Sequence, residues 1–317
     1  MQVSTSHTRL AQGEFAGIGC EVMERGALSL NDTSVMNKTE EFDPFCVELF
    51  VGPLVWGILS VPCACVGLPA SLRLLWALIQ RQRRGLSNDV YMLNLTIMDL
   101  IFNIILIPGV INYFVWQDYA TWRITDFFYC LSLSGRPLFM ACICVDSYIA
   151  VVHPVVYMKT KHSKYRLVAS ALVWNLTLAF GVLFIHSVEP LFSITTLIFF
   201  TLCLTTITFC DGAIFLALRK PDPSGRSDVH PQKQRALQTI TNSLVMALVS
   251  YLPPMVVFGF AHLIQQVVPV QMMFCTIVAV AYIGTTFGSA ALPLLYLGNL
   301  GIFKDLTTLS FGCVKRA

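Results

Sequence analysis

Charge is scarce in this sequence: Asp, Glu, Lys and Arg make up 12% of its 317 residues, against 56% hydrophobic ones. A soluble domain carries about a quarter charged residues, so an ordinary water-facing surface is excluded. No paired carboxylates, His-rich cluster or nucleophile–base set stands at usable spacing, which argues against an enzyme. No internal repeat or low-complexity tract is visible, and residues 1–45 lack the apolar core of a signal peptide. The net charge of +3 comes from basic residues in short loops and does not mark a nucleic-acid binder.

What is present is apolar sequence in long blocks, with a mean hydropathy of +0.68. Seven blocks, about 50–79, 89–116, 124–152, 165–186, 192–218, 234–264 and 269–298, each supply the ~20 residues a helix needs to cross a bilayer. The expected fold is all-α: a seven-transmembrane helix bundle over 50–298 in a lipid bilayer. An extracellular tail is expected at 1–49, and a short cytoplasmic amphipathic helix 8 with a tail at 299–317.

Orientation follows from Lys and Arg, which accumulate on the cytoplasmic side. Arg81, Arg83, Arg84, Lys159, Lys161, Lys164, Arg166, Arg219, Lys220, Arg226, Lys233, Arg235, Lys304, Lys315 and Arg316 fall on one side. Arg9, Arg25, Lys38 and Arg123 fall on the other, with Glu40, Glu41, Asp43, Asp118 and Glu189. The tail is therefore expected outside the cell. Its sequons, Asn31-Asp32-Thr33 and Asn37-Lys38-Thr39, suit glycosylation there. Met36 would also serve as a start, in which case only Asn37 remains. The sequons at Asn94 and Asn175 lie inside spans and are not expected to carry glycans. Cys313 beside Lys315 and Arg316 is a palmitoylation candidate.

Two charges fall in mid-span. Asp99 lies in the second block and Arg136 in the third, and such groups imply a partner or a function. At ~100° per residue, Tyr129, Arg136 and Ser147 share one stripe of the third helix with Leu133, Met140 and Ile143. An arginine in mid-span avoids lipid, so the stripe faces the bundle interior. Pro253 and Pro254 remove backbone donors from the sixth block and predict a kink.

The third block ends Cys144-Val145-Asp146-Ser147-Tyr148-Ile149-Ala150-Val151-Val152-His153-Pro154. The first contains Gly67-Leu68-Pro69-Ala70-Ser71, and the second Asn94-Leu95-Thr96-Ile97-Met98-Asp99. The fourth has Trp174, the sixth Ser250-Tyr251-Leu252-Pro253, and the seventh Leu292-Pro293-Leu294-Leu295-Tyr296. In order and spacing these resemble the motifs of rhodopsin-like (class A) G-protein-coupled receptors, over about residues 46–311. The chain reads as a divergent, orphan-type member with degenerate motifs. Asp146, Tyr148, Asp99, Trp174, Pro253, Pro293 and Tyr296 match the family, whereas Ser71, Trp122, Arg136, Ser147, Asp211, Tyr251 and Leu292 depart from it.

The resemblance implies a receptor that passes an extracellular ligand's binding to a heterotrimeric G protein. It implies that Asp146, Ser147, Tyr148, Asp211, Lys233 and Tyr296 lie at the cytoplasmic switch, and that Tyr251 stands in the toggle tryptophan's place. The arginine that normally contacts the G protein is Ser147, and Lys233 falls where an acid often pairs with that arginine. Coupling is therefore in question, and the alternative is a non-coupling decoy, scaffold or heteromer partner. The family's second-helix aspartate usually holds a sodium ion with help from a small polar residue at the position of Arg136. The expectation here is that Arg136 replaces the ion as partner of Asp99, with no cofactor. The disulfide normally tethering the third helix is also missing: Trp122 takes the cysteine's place, and the loop at 187–191 has none. Cys46 and Cys275 could instead join the tail to the last helix.

Exclusion guides the ligand reading. The seventh block has no lysine for retinal, with Thr286 at that place, and Tyr129 stands where an amine receptor would need aspartate. Asn112, Tyr113, Asp126, Tyr129, Phe258, His262 and Tyr282 are the residues expected to line an outer pocket.

Overall fold

The computed structural model describes residues 51–85, 89–160, 163–186, 189–219, 231–260 and, apart from 265 and 270–271, 263–300. The tail, the segment from 301 onward and His262 lie outside that range, and with them the expectations for Asn31, Asn37, Cys46, Cys313 and helix 8. Eight helices are described: α1 Val51–Arg83, α2 Val90–Ile111, α3 Tyr119–Val152, α4 Pro154–Thr160, α5 Ser163–His186, α6 Glu189–Arg219, α7 Pro231–Gly259 and α8 Ala279–Asn299. Five-residue (Asn112–Trp116) and six-residue (Met273–Val278) π-helical stretches extend α2 and lead into α8. No strand occurs among the described residues.

Six of these helices have stretches long and apolar enough to cross a membrane; the seventh, α7, contributes the apolar run Leu244–Val257. Helices form because, without water, every backbone polar group must be satisfied within its own segment. Their outer faces are Leu, Ile, Val and Phe, with Leu72, Leu172, Leu202 and Phe209 each at least half exposed.

The helices close into a ring. α1 packs on α2 and α8, α8 on α7, α7 on α6, and both α6 and α5 on α3. α3 also meets α2 and α7, so it threads the centre. Its apolar stretch is 61% buried against 28–47% for the other five spans. The principal core packs Met98, Phe139, Met140, Phe200, Ile207, Tyr251 and Leu292 about this helix.

Among the glycines at close approaches, two bear on how the helices meet around the site. A Cβ on Gly67 would run into the Asn103 amide, which lets α1 and α2 touch. A Cβ on Gly288 would collide with the Ser250 hydroxyl, which lets α8 close on α7. Small residues serve this purpose in membranes, where packing and not water exclusion holds helices together.

The turn into α3 is braced by Asn112 and Asp118. Asn112 donates through Nδ2 to the Asp118 carbonyl and accepts from its N–H, both at 3.0 Å. Gln117 takes the left-handed conformation at φ 50° and donates to the Asn112 carbonyl at 2.7 Å. Asp118 then caps α3, accepting from the Thr121 N–H at 2.8 Å and its hydroxyl at 2.6 Å. These bonds hold the exposed Asp118 carboxyl below the ordinary aspartate range.

Candidate functional site

Three layers of polar groups run along α3. In the middle layer, Asp99 on α2 and Arg136 on α3 are 2% and 1% exposed, and Arg136 Nε lies 2.7 Å from Asp99 Oδ1. The two meet at an angle that makes the contact an ion pair and not an aligned hydrogen bond. Arg136 Nη1 donates to the Thr285 carbonyl of α8 at 2.9 Å, and its Cζ lies 5.6 Å from the Phe102 ring centroid. One side chain therefore joins α2, α3 and α8. Pro137, next to Arg136 within the continuous helix, lacks the N–H that would bond the Leu133 carbonyl.

Around the pair, Asn103 donates to the Asp99 carbonyl at 2.8 Å, and Ser289 donates to the Asn103 Oδ1 at 3.3 Å. A metal cation fits this centre poorly. The guanidinium already lies against the carboxylate, and its fixed charge would repel a second cation.

A second layer sits at the C-terminal end of α3. Asp146 is 35% exposed and accepts from Arg166 Nη2 of α5, at 3.0 Å to Oδ1 and 2.8 Å to Oδ2. The same nitrogen contacts the Tyr157 hydroxyl on α4 at 3.0 Å. Ser147 turns back on its own helix, donating to the Ile143 carbonyl at 2.8 Å. Tyr148 packs near Phe209 at 6.0 Å between centroids. Asp211 is buried at 3% with Oδ2 lacking a hydrogen-bond partner, and no cation meets it among the described residues. Tyr296 packs half-buried against the core. Lys233 lies on α7, where only its backbone is described.

Tyr251 is fully buried and stacks on Phe200 at 6.1 Å. Pro253 and Pro254 lie within α7, and Pro293 within α8. Trp174 donates to Asn94 Oδ1 at 2.9 Å, linking α5 to α2.

In the third layer, toward the N-terminal half of α3, the Tyr129 hydroxyl meets the Thr286 hydroxyl at 3.0 Å, and its ring lies 4.5 Å from Tyr282 and 4.9 Å from Phe102. Tyr113 faces Trp56 at 6.3 Å. Asp126 is half-buried. Asn112 is 1% exposed and belongs to the α2–α3 turn, because its amide is engaged on both sides there; it does not line an outer cleft. Of Phe258 only the backbone is described. Cys275 is disulfide-bonded, with its partner outside the described residues.

Sequence reasoning misses Arg166 as a site residue. Its signal is a basic residue placed just inside an apolar block, which reads more simply as part of the basic loop.

The family described as 7 transmembrane receptor (rhodopsin family) matches residues 71–190. A purinoceptor of Xenopus laevis, subtype 4, is 26% identical over 256 residues, covering 69% of this chain and 46% of its own length. G-protein coupled receptor 183 of Rattus norvegicus is 30% identical over 118 residues, 36% of this chain and 33% of its own. Lysophosphatidic acid receptor 5 of Bos taurus is 27% identical over 225 residues, 59% of this chain and 58% of its own. The chain thus spans between a third and three fifths of the length of these relatives. The fold is that of a multi-pass helical membrane protein. By these matches, the chain is similar to rhodopsin-like G-protein-coupled receptors, over residues 71–190 for the family and over up to 69% of its length for the relatives.

Proposed function

We propose that the chain is a plasma-membrane receptor, with its N-terminal tail outside, that transmits binding of an extracellular ligand to a heterotrimeric G protein. The observation that carries this reading is the central α3. Along its length it carries the aromatic group at Tyr129, the Asp99–Arg136 pair and, at its far end on another face, Asp146 paired with Arg166. A helix in contact with both ends can pass a ligand's preference for one packing on to the opposite face. The names of the relatives point to a purine in one case and to lysophosphatidic acid in another, so no single ligand carries over.

A second reading, a relative that keeps the fold without coupling, rests on Ser147. Its hydroxyl bonds back to Ile143 and presents no charge to a cytoplasmic partner. A reporter assay across G-protein classes separates the two. Basal or ligand-driven activation by the native chain supports the receptor; silence restored to signalling by Ser147→Arg supports a lost switch. An epitope at residue 2 stained on intact cells, and one after Ala317 stained only after permeabilisation, supports the orientation; the reverse pattern overturns it.

A further inference from the structure

α1 carries a charge at membrane depth, Arg73, eight residues and ~12 Å of helix before Arg81. Unlike Asp99 and Arg136, it does not face the bundle interior. Arg73 is exposed, flanked by Leu72 and Trp76, which are 50% and 59% exposed. Among the described residues it has no ion-pair or hydrogen-bond partner. Arginine avoids the lipid face of a span, and its charge there must be met by an anion or by water. Water is hard to reach, because a helical side chain leans toward the helix N-terminus. For Arg73 that direction leads away from the basic end at Arg81 and Arg83, deeper into the apolar stretch.

The surroundings say where an anion comes from. A groove of about 470 Å³ on this face is lined by Pro69, Leu72, Arg73 and Trp76. At ~100° per residue, Gln80 and Arg84 fall within ~20° of Arg73 and continue its stripe to the polar boundary. There Arg84 Nη2 approaches Gln80 Oε1 at 3.5 Å. The stripe thus holds one cation at the boundary and one below it. Trp76, a residue type that favours headgroup level, lies between them. A second copy of the chain offers no matching acid among the described residues. Asp99 and Asp211 are buried, and Asp146 is engaged by Arg166. Asp126 is one turn from Tyr129, which packs with Trp56 at the far end of α1.

We propose that this face of α1 binds an anionic phospholipid. Its phosphate is drawn below the usual headgroup level to Arg73, and an acyl chain lies in the groove along Leu72 and Pro69. The guanidinium donates to the phosphate oxygens in charge-assisted hydrogen bonds, and Arg84 adds its charge from the boundary. Anionic lipids gather in the cytoplasmic leaflet, so placing the lipid there rests on the proposed orientation of the receptor; the binding itself does not.

The full-length chain in neutral detergent is titrated with phosphatidylserine or phosphatidylcholine. Bound lipid is read by native mass spectrometry and stability by thermal unfolding. The native chain is expected to retain phosphatidylserine at ~10-fold lower concentration than phosphatidylcholine, and to be stabilised by it. Arg73→Gln should erase that preference and leave phosphatidylcholine binding unchanged. Arg73→Lys, which keeps the charge, should retain most of it. Arg83→Gln, off the stripe, should weaken phosphatidylserine binding less than Arg73→Gln does. Without added lipid, Arg73→Gln should be at least as stable as the native chain; lower stability would show that Arg73 already has a partner within the chain and overturns the proposal. An equal effect of Arg83→Gln also overturns it, by showing only a general attraction of basic helix ends for anionic lipid. So does a preference that survives Arg73→Gln, loss in Arg73→Lys as complete as in Arg73→Gln, or equal stabilisation by inorganic phosphate. A dimer that Arg73→Gln converts to monomer, with lipid preference intact, would give the face to a second copy. The reverse epitope pattern would move the site to the other leaflet and leave these results as they are. Absent lipid preference with the expected epitope pattern removes the site and keeps the orientation.

Discussion

Arg136 Nε and Asp99 Oδ1 lie 2.7 Å apart on two different helices, both side chains almost fully buried. The charge pair is held at its other end by the Thr285 carbonyl. Removing one partner leaves the other charged and buried, so Arg136→Ala should destabilise the protein by ~3–5 kcal/mol. Asp99→Asn with Arg136→Ser should recover part of that loss. A double-mutant cycle on thermal stability in detergent tests this, run once in sodium chloride and once with a bulky organic cation. The cycle should be strongly non-additive and the native melting temperature the same in both salts. Additive effects, or stabilisation by sodium, would show that Arg136 does not fill the cation's role.

The approach of these two residues is legible in the sequence, and the physics explains why. A mid-membrane arginine excludes the lipid face, helical period fixes which neighbours share its stripe, and Leu133 and Met140 on that stripe are indeed 4% and 1% exposed. The spans are legible for the same reason, since hydropathy needs no knowledge of packing. Block ends are less so: α6 starts at Glu189, a few residues before its apolar run, because helix continues where hydropathy does not. What stays hidden depends on how helices cross. Nothing in one sequence says that Arg166 reaches Asp146 across α3 and α5, or that the Asn112 amide turns back to the Asp118 backbone instead of facing a cleft.

The α7–α8 contact gives a second test. Gly288→Ala puts a methyl group where the Ser250 hydroxyl sits, and overpacking of this kind costs about 1–3 kcal/mol. Ser250→Ala in the same chain should restore most of the loss, because it removes the atom first met. Thermal unfolding of the two single variants and the double variant decides it. No rescue by Ser250→Ala would mean that backbone contact, and not the hydroxyl, sets the spacing.

Acid should act on the start of α3. The Thr121 hydroxyl and N–H hold the Asp118 carboxyl below its ordinary value of 3.8. Because the folded value is the lower one, the cap contributes stability above 3.8 and loses it as pH falls through the lowered value. Asp118→Ala should therefore be less stable than the native chain at neutral pH, with the difference shrinking in acid. Stability curves for both proteins against pH provide the measurement, and a gap that persists undiminished in acid would count against the cap.

The C-terminal end of α3 carries the last prediction. Asp146 is held by Arg166 from α5, through one nitrogen that spans both carboxylate oxygens and also meets Tyr157. The pair is partly exposed on the Asp146 side, so its worth is modest, and Arg166→Ala should lower stability by ~1 kcal/mol. The functional consequence is larger than the energetic one. An arginine placed at 147 would have to compete with Arg166 for Asp146, while Arg166 keeps α4 tied to α5. Ser147→Arg alone should then raise G-protein activation less than Ser147→Arg combined with Arg166→Ala, at matched surface expression. Arg166→Ala alone should leave signalling near the native level, because Ser147 still offers no charge. If Ser147→Arg alone gives the full response, Arg166 does not restrain Asp146. If the double variant stays silent while folding normally, the defect lies deeper, at the buried Asp211 or at Leu292.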